Sequence, residues 1–253
     1  MTELFHSNGF EVVLADDLKD LSTMQEQVRD IAHQLLGKPN TQVEHDLNYL
    51  HESFASAKEV DDFRLKLTTE IAESINFGQR IYKIFNSYLE PLVGVDVLAQ
   101  KTPNLVFQPP EYPVPTELHR DAPANSPYEI IVWLPFVDCF RTKSMYLLNR
   151  KFSRIAAEHI RDNPKDRPGF DNILLDHAEL MDVPFGSALV FWSGLFHGSI
   201  VNKEKESRLS LNTRYKNLFT PLGLKDPFRY FDVLKTSSLT KLGIDFELKE
   251  QLD

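Results

Sequence analysis

The feature that most constrains this chain is a change of pattern near residue 96. Before it, apolar residues recur at helical spacing. After it they gather in short runs, and eight of the 15 prolines fall between Pro103 and Pro135. Leu21, Met24, Val28, Ile31 and Leu35 step by three and four behind the capping pair Asp16-Asp17 and stop before Gly37, a natural helix terminator. Val60, Phe63, Leu67 and Ile71 repeat the pattern, as do Phe77, Ile81, Phe85, Tyr88 and Leu92. Three amphipathic helices with one stripe each predict a helical flank over residues 1–95 that covers a face of something else.

The second half reads as strands: Leu105–Gln108, Glu129–Leu134, Ser144–Leu148, Asn172–Leu175, Ala188–Trp192 and Arg208–Leu218. Arg154–Arg161 is its single helical stretch. Short strands without regularly intervening helices favour an antiparallel sandwich or barrel over a parallel sheet. With no linker in sight, residues 1–253 read as one domain: the helical flank, a β-core over 96–220 and a C-terminal extension over 221–253.

Composition narrows the function classes. The 253 residues are 42% apolar, enough for a core. A formal charge of −9 argues against general affinity for nucleic acid or anionic membrane. The lone cysteine, Cys139, cannot form an internal disulfide and has no nearby histidine to activate it, so a structural role is expected. The start, Met1-Thr2-Glu3-Leu4-Phe5-His6, lacks the basic end and apolar run of a secretory signal. No apolar run approaches the roughly 18 residues of a spanning helix. A soluble cytoplasmic protein without nucleic-acid or membrane partners is expected.

Three metal-ligand types stand in the β half: His119 and Asp121, two residues apart, and His197. On a strand that spacing puts both side chains on one face. Two imidazoles and a carboxylate make the facial triad of non-heme Fe(II) oxygenases. Eight histidines and 37 acids in 253 residues give about one His-x-acid pair by chance, so a surface histidine beside a turn aspartate reads the same way. Arg208 follows His197 by 11 residues and opens Arg208-Leu209-Ser210-Leu211-Asn212-Thr213-Arg214-Tyr215, where Arg208, Ser210 and Asn212 share a strand face. A guanidinium with a hydroxyl two residues on suits a carboxylate. Equally, Arg208 and Arg214 on an edge strand would be ordinary exposed charges.

His119-x-Asp121, His197 and Arg208-x-Ser210, in that order, resemble the Fe(II)/2-oxoglutarate-dependent dioxygenase superfamily. The text from Tyr128 to Asp138 is similar to the phytanoyl-CoA dioxygenase-like branch, closest to members from carbohydrate and aminoglycoside biosynthesis clusters. Many relatives carry Pro-Gly-Ser-His where this chain has Leu147–Phe152, a departure from the lipid-CoA members. The resemblance spans about residues 104–218 and implies a double-stranded β-helix, the jelly roll also seen in cupins. It implies Fe(II) held by His119, Asp121 and His197, and 2-oxoglutarate anchored by Arg208 and Ser210. With O2, such a site hydroxylates a C–H of a small polar metabolite, for instance a sugar or sugar-derived intermediate, releasing succinate and CO2. A carboxylate at position 121, where related halogenases leave a vacancy for chloride, points to hydroxylation or another oxidation.

Trp133 matches a tryptophan beside the cosubstrate in that branch and equally suits a core. Gln108 is a candidate cosubstrate donor or a solvent-facing residue. Tyr112, Arg120 and Asn125, in the proline-rich segment around His119, are candidate substrate contacts or plain loop residues. Arg141 and Lys143, before another strand, read as a solvated basic loop or as a site for an anionic group such as a phosphate or sugar acid. Two other functions remain open on the residues: a non-redox metal-binding cupin-like protein, which needs no carboxylate receptor at Arg208, and a zinc hydrolase, for which no general base stands out.

Overall fold

The computed structural model describes residues 3–37, 47–122, 125–224 and 227–249. A short helix, α1 (Glu3–Asn8), leads into strand β1 (Phe10–Leu14). Three longer elements of the flank follow. Helix α2 (Leu18–Leu35) is capped by Asp17, whose side chain accepts from the Asp20 amide. Helix α3 (Ala57–Ser74) is capped by Ser56 and buries Val60, Phe63, Leu67 and Ile71 as the spacing predicts. In α2 the buried stripe ends on Ala32 instead of Ile31 and Leu35. The third periodic run is two helices, α4 (Phe77–Ile84) and α5 (Asn86–Val93). Phe85 breaks it with φ −119° and ψ 28°, and Asp16 takes the Ser87 amide in the first turn of α5 at 2.8 Å.

The β half begins with β2 (Val97–Gln100), β3 (Asn104–Gln108) and β4 (Ile130–Pro135), then the two-residue β5 (Tyr146–Leu147). Helices α6 (Arg150–Asp162) and α7 (Arg167–His177) precede β6 (Glu179–Leu180), β7 (Ser187–Trp192), β8 (His197–Gly198) and β9 (Arg208–Asn217). The chain closes with α8 (Pro227–Tyr230), β10 (Phe231–Lys235) and α9 (Ser238–Lys249). Among the described residues a seven-stranded antiparallel sheet runs β1-β7-β4-β9-β2-β10, with β3 also paired to β9, and a three-stranded sheet runs β6-β5-β8.

Four of the six expected strands stand close to where the sequence places them, and Ser144–Leu148 shortens to β5. The exception is Asn172–Leu175, which lies inside helix α7. Asp166 caps that helix by accepting from the Gly169 amide, and Pro168 sits in its first turn. Phe170, Ile173 and Leu174, at helical spacing, join a small apolar cluster with Leu148 and Phe196, while Leu175 faces solvent. Among the described residues five strands lie outside the expected β-core or go unread within it: the short β6 and β8, and three strands of the large sheet. Phe10–Leu14 pairs in register with β7, β2 pairs with β9, and Phe231–Lys235 pairs with β2.

Alternation along β9 sorts the large sheet into two faces. Leu209, Leu211 and Tyr215 turn toward the flanking helices, and the Tyr215 hydroxyl donates to the Gly78 carbonyl of α4. Phe107 of β3 meets Phe54 and Phe63 edge-on at 5.9 Å. One apolar cluster runs from Phe10 through the buried stripes of α2 and α3 to Tyr215. The opposite face of β9 bears the polar residues Arg208, Ser210, Asn212 and Arg214. Among the described residues no helix is long and apolar enough to cross a membrane.

Candidate active site

His119 and His197 are antiparallel backbone partners joining the proline-rich segment to β8. His119 is a single bridging residue and Asp121 opens a bend, so this pair is not a continuous strand; the bridge to His197 does the aligning. One ligand atom from each of His119, Asp121 and His197 lies within 4.8 Å of the others. The two rings stand 4.3 Å apart, centre to centre.

Both imidazoles are oriented in the same way. His119 Nδ1 lies 2.8 Å from the Glu117 carbonyl, and His197 Nδ1 lies 3.1 Å from the Leu195 carbonyl. A carbonyl only accepts, so each Nδ1 carries the proton and each Nε2 keeps its lone pair for a metal. Burial, against the opposing pull of Asp121, pushes the His197 imidazole down to about 4, so it is neutral at ordinary pH. The His119 side chain is 42% exposed, whereas those of Asp121 and His197 are buried. The triad is open on one side.

Arg208 is buried, and its Nη1 donates to the Ser144 carbonyl at 2.7 Å, tying β9 to the segment entering β5. Burial pulls this guanidinium down to about 10, still cationic at neutral pH. Among the described residues no carboxylate pairs with it, and its Nε has no hydrogen-bond partner. The Ser210 hydroxyl, the Ser144 hydroxyl, Gln108 Oε1 and Asn212 Oδ1 are likewise buried and unpartnered. Gln108 stands directly across from Arg208 in the β3–β9 register and donates to the Ile200 carbonyl. Trp133 faces Asn212 across β4–β9, its ring 6.0 Å from the Arg208 guanidinium carbon. A buried uncompensated cation beside orphaned hydrogen-bonding groups is costly unless an anionic ligand completes it.

The same face of β9 carries Arg214, six residues on. Its Nη2 contacts Asp121 Oδ1 at 2.9 Å. Thus the row on this face runs from Arg208, unpaired with any carboxylate among the described residues, to Arg214 at Asp121. An opening of about 330 Å³ is lined by Arg208, Gln108, Tyr112, Thr116, Ser199 and Asp61, among others. The donor set fits a ferrous ion with open positions, and the Arg208 end fits a dicarboxylate.

The remaining candidates are scattered. Tyr112 donates its hydroxyl to Asp61 of α3. Arg120 lies over the Phe196 ring at 4.8 Å. Asn125 is buried, donates its amide to the Asp121 carbonyl, and leaves Oδ1 unpartnered among the described residues. Lys143 is no solvated loop cation: it is fully buried, with Nζ held by Asn48 and by Glu206 at 2.6 Å. Gly198, next to His197, sits where an added Cβ would lie 2.9 Å from the Tyr146 hydroxyl and 3.1 Å from the Thr116 carbonyl. The sequence reading missed Arg214, Gln100 and Tyr230 as site residues. Only Arg214 carried a signal, its even spacing from Arg208.

No family model and no curated protein matches the chain. Solved structures do resemble it in shape. The apo form of the non-heme monooxygenase ThoJ superposes with a TM-score of 0.56 at 16% identity, covering 93% of this chain and 84% of its own. HygX from Streptomyces hygroscopicus, solved with nickel and 2-oxoglutarate bound, gives 0.52 at 13% identity over 87% and 88% of the two chains. EvdO2 from Micromonospora carbonacea var. aurantiaca, complexed with 2-oxoglutarate, gives 0.50 at 16% identity over 89% and 92%. This chain therefore shares the fold of a non-heme monooxygenase and of two proteins that hold 2-oxoglutarate.

Proposed function

We propose that this protein is an Fe(II)/2-oxoglutarate-dependent oxygenase with a double-stranded β-helix core, of the phytanoyl-CoA dioxygenase-like branch. In this reading it is a cytoplasmic enzyme in which residues 1–253 form one domain, hydroxylating a C–H of a small polar metabolite, a sugar or sugar-derived intermediate. One observation carries it: Arg208, buried and with no carboxylate partner among the described residues, shares a face of β9 with Arg214, which contacts Asp121 of the His119–Asp121–His197 cluster.

His119, Asp121 and His197 would hold the iron on one side and leave positions open on the other. The Glu117 and Leu195 carbonyls keep both imidazoles in the ligating tautomer. Arg208 would pair with the distal carboxylate of 2-oxoglutarate, with Ser210 donating its hydroxyl and Trp133 walling the site. Gln108, its amide already committed to the Ile200 carbonyl, fixes the strand beside Arg208. When bound, iron, 2-oxoglutarate and O2 together supply the oxidation that turns R–H into R–OH, with succinate and CO2 as the other products. Tyr112, Arg120 and Asn125 are proposed to border the substrate, because they belong to the segment that carries His119. The apolar cover on the far side of β9 keeps bulk water from the interior.

The test is binding before turnover. Anaerobic addition of Fe(II) and then 2-oxoglutarate is expected to give a visible charge-transfer band, and a metabolite screen in air is expected to release succinate. Metal binding without any 2-oxoglutarate binding would overturn the oxygenase reading in favour of a non-redox metal-binding protein.

A further inference from the structure

Arg208 and Arg214 occupy the same face of one strand, both buried, yet their surroundings differ. Arg208 lacks an acidic partner among the described residues. Arg214 is held at both terminal nitrogens, though its Nε has no hydrogen-bond partner among the described residues: Nη2 contacts Asp121 Oδ1 at 2.9 Å, and Nη1 donates to the Tyr230 hydroxyl at 2.7 Å and to Gln100 Oε1 at 3.1 Å. Gln100 ends β2 and Tyr230 ends α8. Two segments outside the metal-binding loops therefore hold this guanidinium in place.

Asp121 needs such help. It lies at the start of a bend, not on a strand. Its carboxylate is buried, and Oδ1 lies 3.8 Å from His119 Nε2. A carboxylate held by a fixed guanidinium stays oriented and gives up less conformational freedom on binding an ion.

We propose that Arg214 is a positioning residue for Asp121: anchored by Gln100 and Tyr230, it holds carboxylate oxygen Oδ1 and so fixes the carboxylate beside the two imidazoles for metal binding. This rests on the metal-centre reading above. It also makes the Arg214 end of β9 an anion receptor in its own right, able to hold a small carboxylate if the aspartate side chain is removed.

Co(II) serves as the probe, titrated into the full chain and followed by its visible absorption. Wild type against His119→Ala comes first; equal, weak binding by both would sink the metal centre itself. With that centre intact, Arg214→Gln is expected to weaken Co(II) about 10- to 100-fold, and Arg214→Lys to recover part of the loss. A folded Arg214→Gln protein that binds Co(II) within about twofold of wild type, or more tightly, overturns the positioning role.

The second arm needs no Arg214 variant to fold. Asp121→Ala is expected to regain saturable Co(II) binding when formate is added, because formate can occupy the place beside the guanidinium. No formate effect in a folded Asp121→Ala protein overturns the proposal. Where Asp121→Ala/Arg214→Gln also folds, loss of the formate effect supports it, and persistence of the effect overturns it.

Discussion

His119 and His197 exchange backbone hydrogen bonds in both directions, each amide donating to the other's carbonyl at 3.0 Å. The two imidazoles, 78 positions apart in the chain, are thereby placed by main-chain geometry instead of by side-chain packing. A side-chain substitution at either position should remove a ligand while sparing the bridge.

His119→Ala is therefore expected to keep its fold and lose metal, with affinity for Fe(II) or Co(II) down by at least about 100-fold. Metal analysis after gel filtration, beside far-ultraviolet circular dichroism, reads both. Metal retained at wild-type stoichiometry would contradict the ligand assignment.

Arg208→Ala should separate cosubstrate from metal. Loss of the guanidinium removes the proposed partner of 2-oxoglutarate, so its Kd is expected to rise about 10- to 100-fold, while Co(II) affinity stays within a few-fold. The variant also abandons the Ser144 carbonyl, at a cost of about 1–3 kcal/mol in stability. Titration calorimetry with each ligand checks the split; equal loss of both ligands in a folded protein would refute it.

Much of this was legible before the structure. The stripe of α3 and the ends of β9 follow from apolar spacing, and the metal cluster from three residues in order. Helix α7 was not, because Ile173-Leu174-Leu175 reads as a strand when Phe170 is left out of the period. Strand β1 was hidden for a different reason: it pairs with Ser187–Trp192, far along the chain, and nothing local announces such a partner. Arg214 is an exposed charge only if β9 is an edge strand, and its burial depends on Gln100 and Tyr230, brought to it by tertiary contacts alone.

Acid should weaken the metal-free protein through His197. Its folded value of about 4 lies below the ordinary imidazole value of about 6.5. Between those limits the unfolded chain binds a proton that the folded chain does not, so the stabilisation is complete above about pH 6.5 and is lost as pH falls toward 4. Denaturant melts in chelator from pH 7 to 4.5 are expected to show a fall on the order of 2 kcal/mol from this group, and a shallower slope in His197→Gln. Identical slopes in the two proteins would exclude His197 as the source.

Cys139 should be silent to thiol reagents in the folded state. It is fully buried, and desolvation pushes its thiol up to about 12, so almost no thiolate forms at neutral pH. Labelling by iodoacetamide is expected only in denaturant, as measured by intact mass. Rapid modification of the native protein would contradict this placement.

Core truncation gives a reference for these changes. Ile71 of α3 is fully buried against the large cluster, and Ile71→Ala is expected to cost about 2–5 kcal/mol without altering Co(II) affinity per folded molecule. Equilibrium unfolding in urea reads the first quantity and metal titration of the folded fraction reads the second.

Gly198 sets a boundary for anyone remodelling this pocket. Even a methyl group there would crowd the Tyr146 hydroxyl and the Thr116 carbonyl, and relieving either would drag the neighbouring imidazole of position 197 with it. Libraries aimed at new substrates should therefore leave this position untouched and diversify Tyr112, which lies outside the His119-Arg120-Asp121 run that carries two of the ligands.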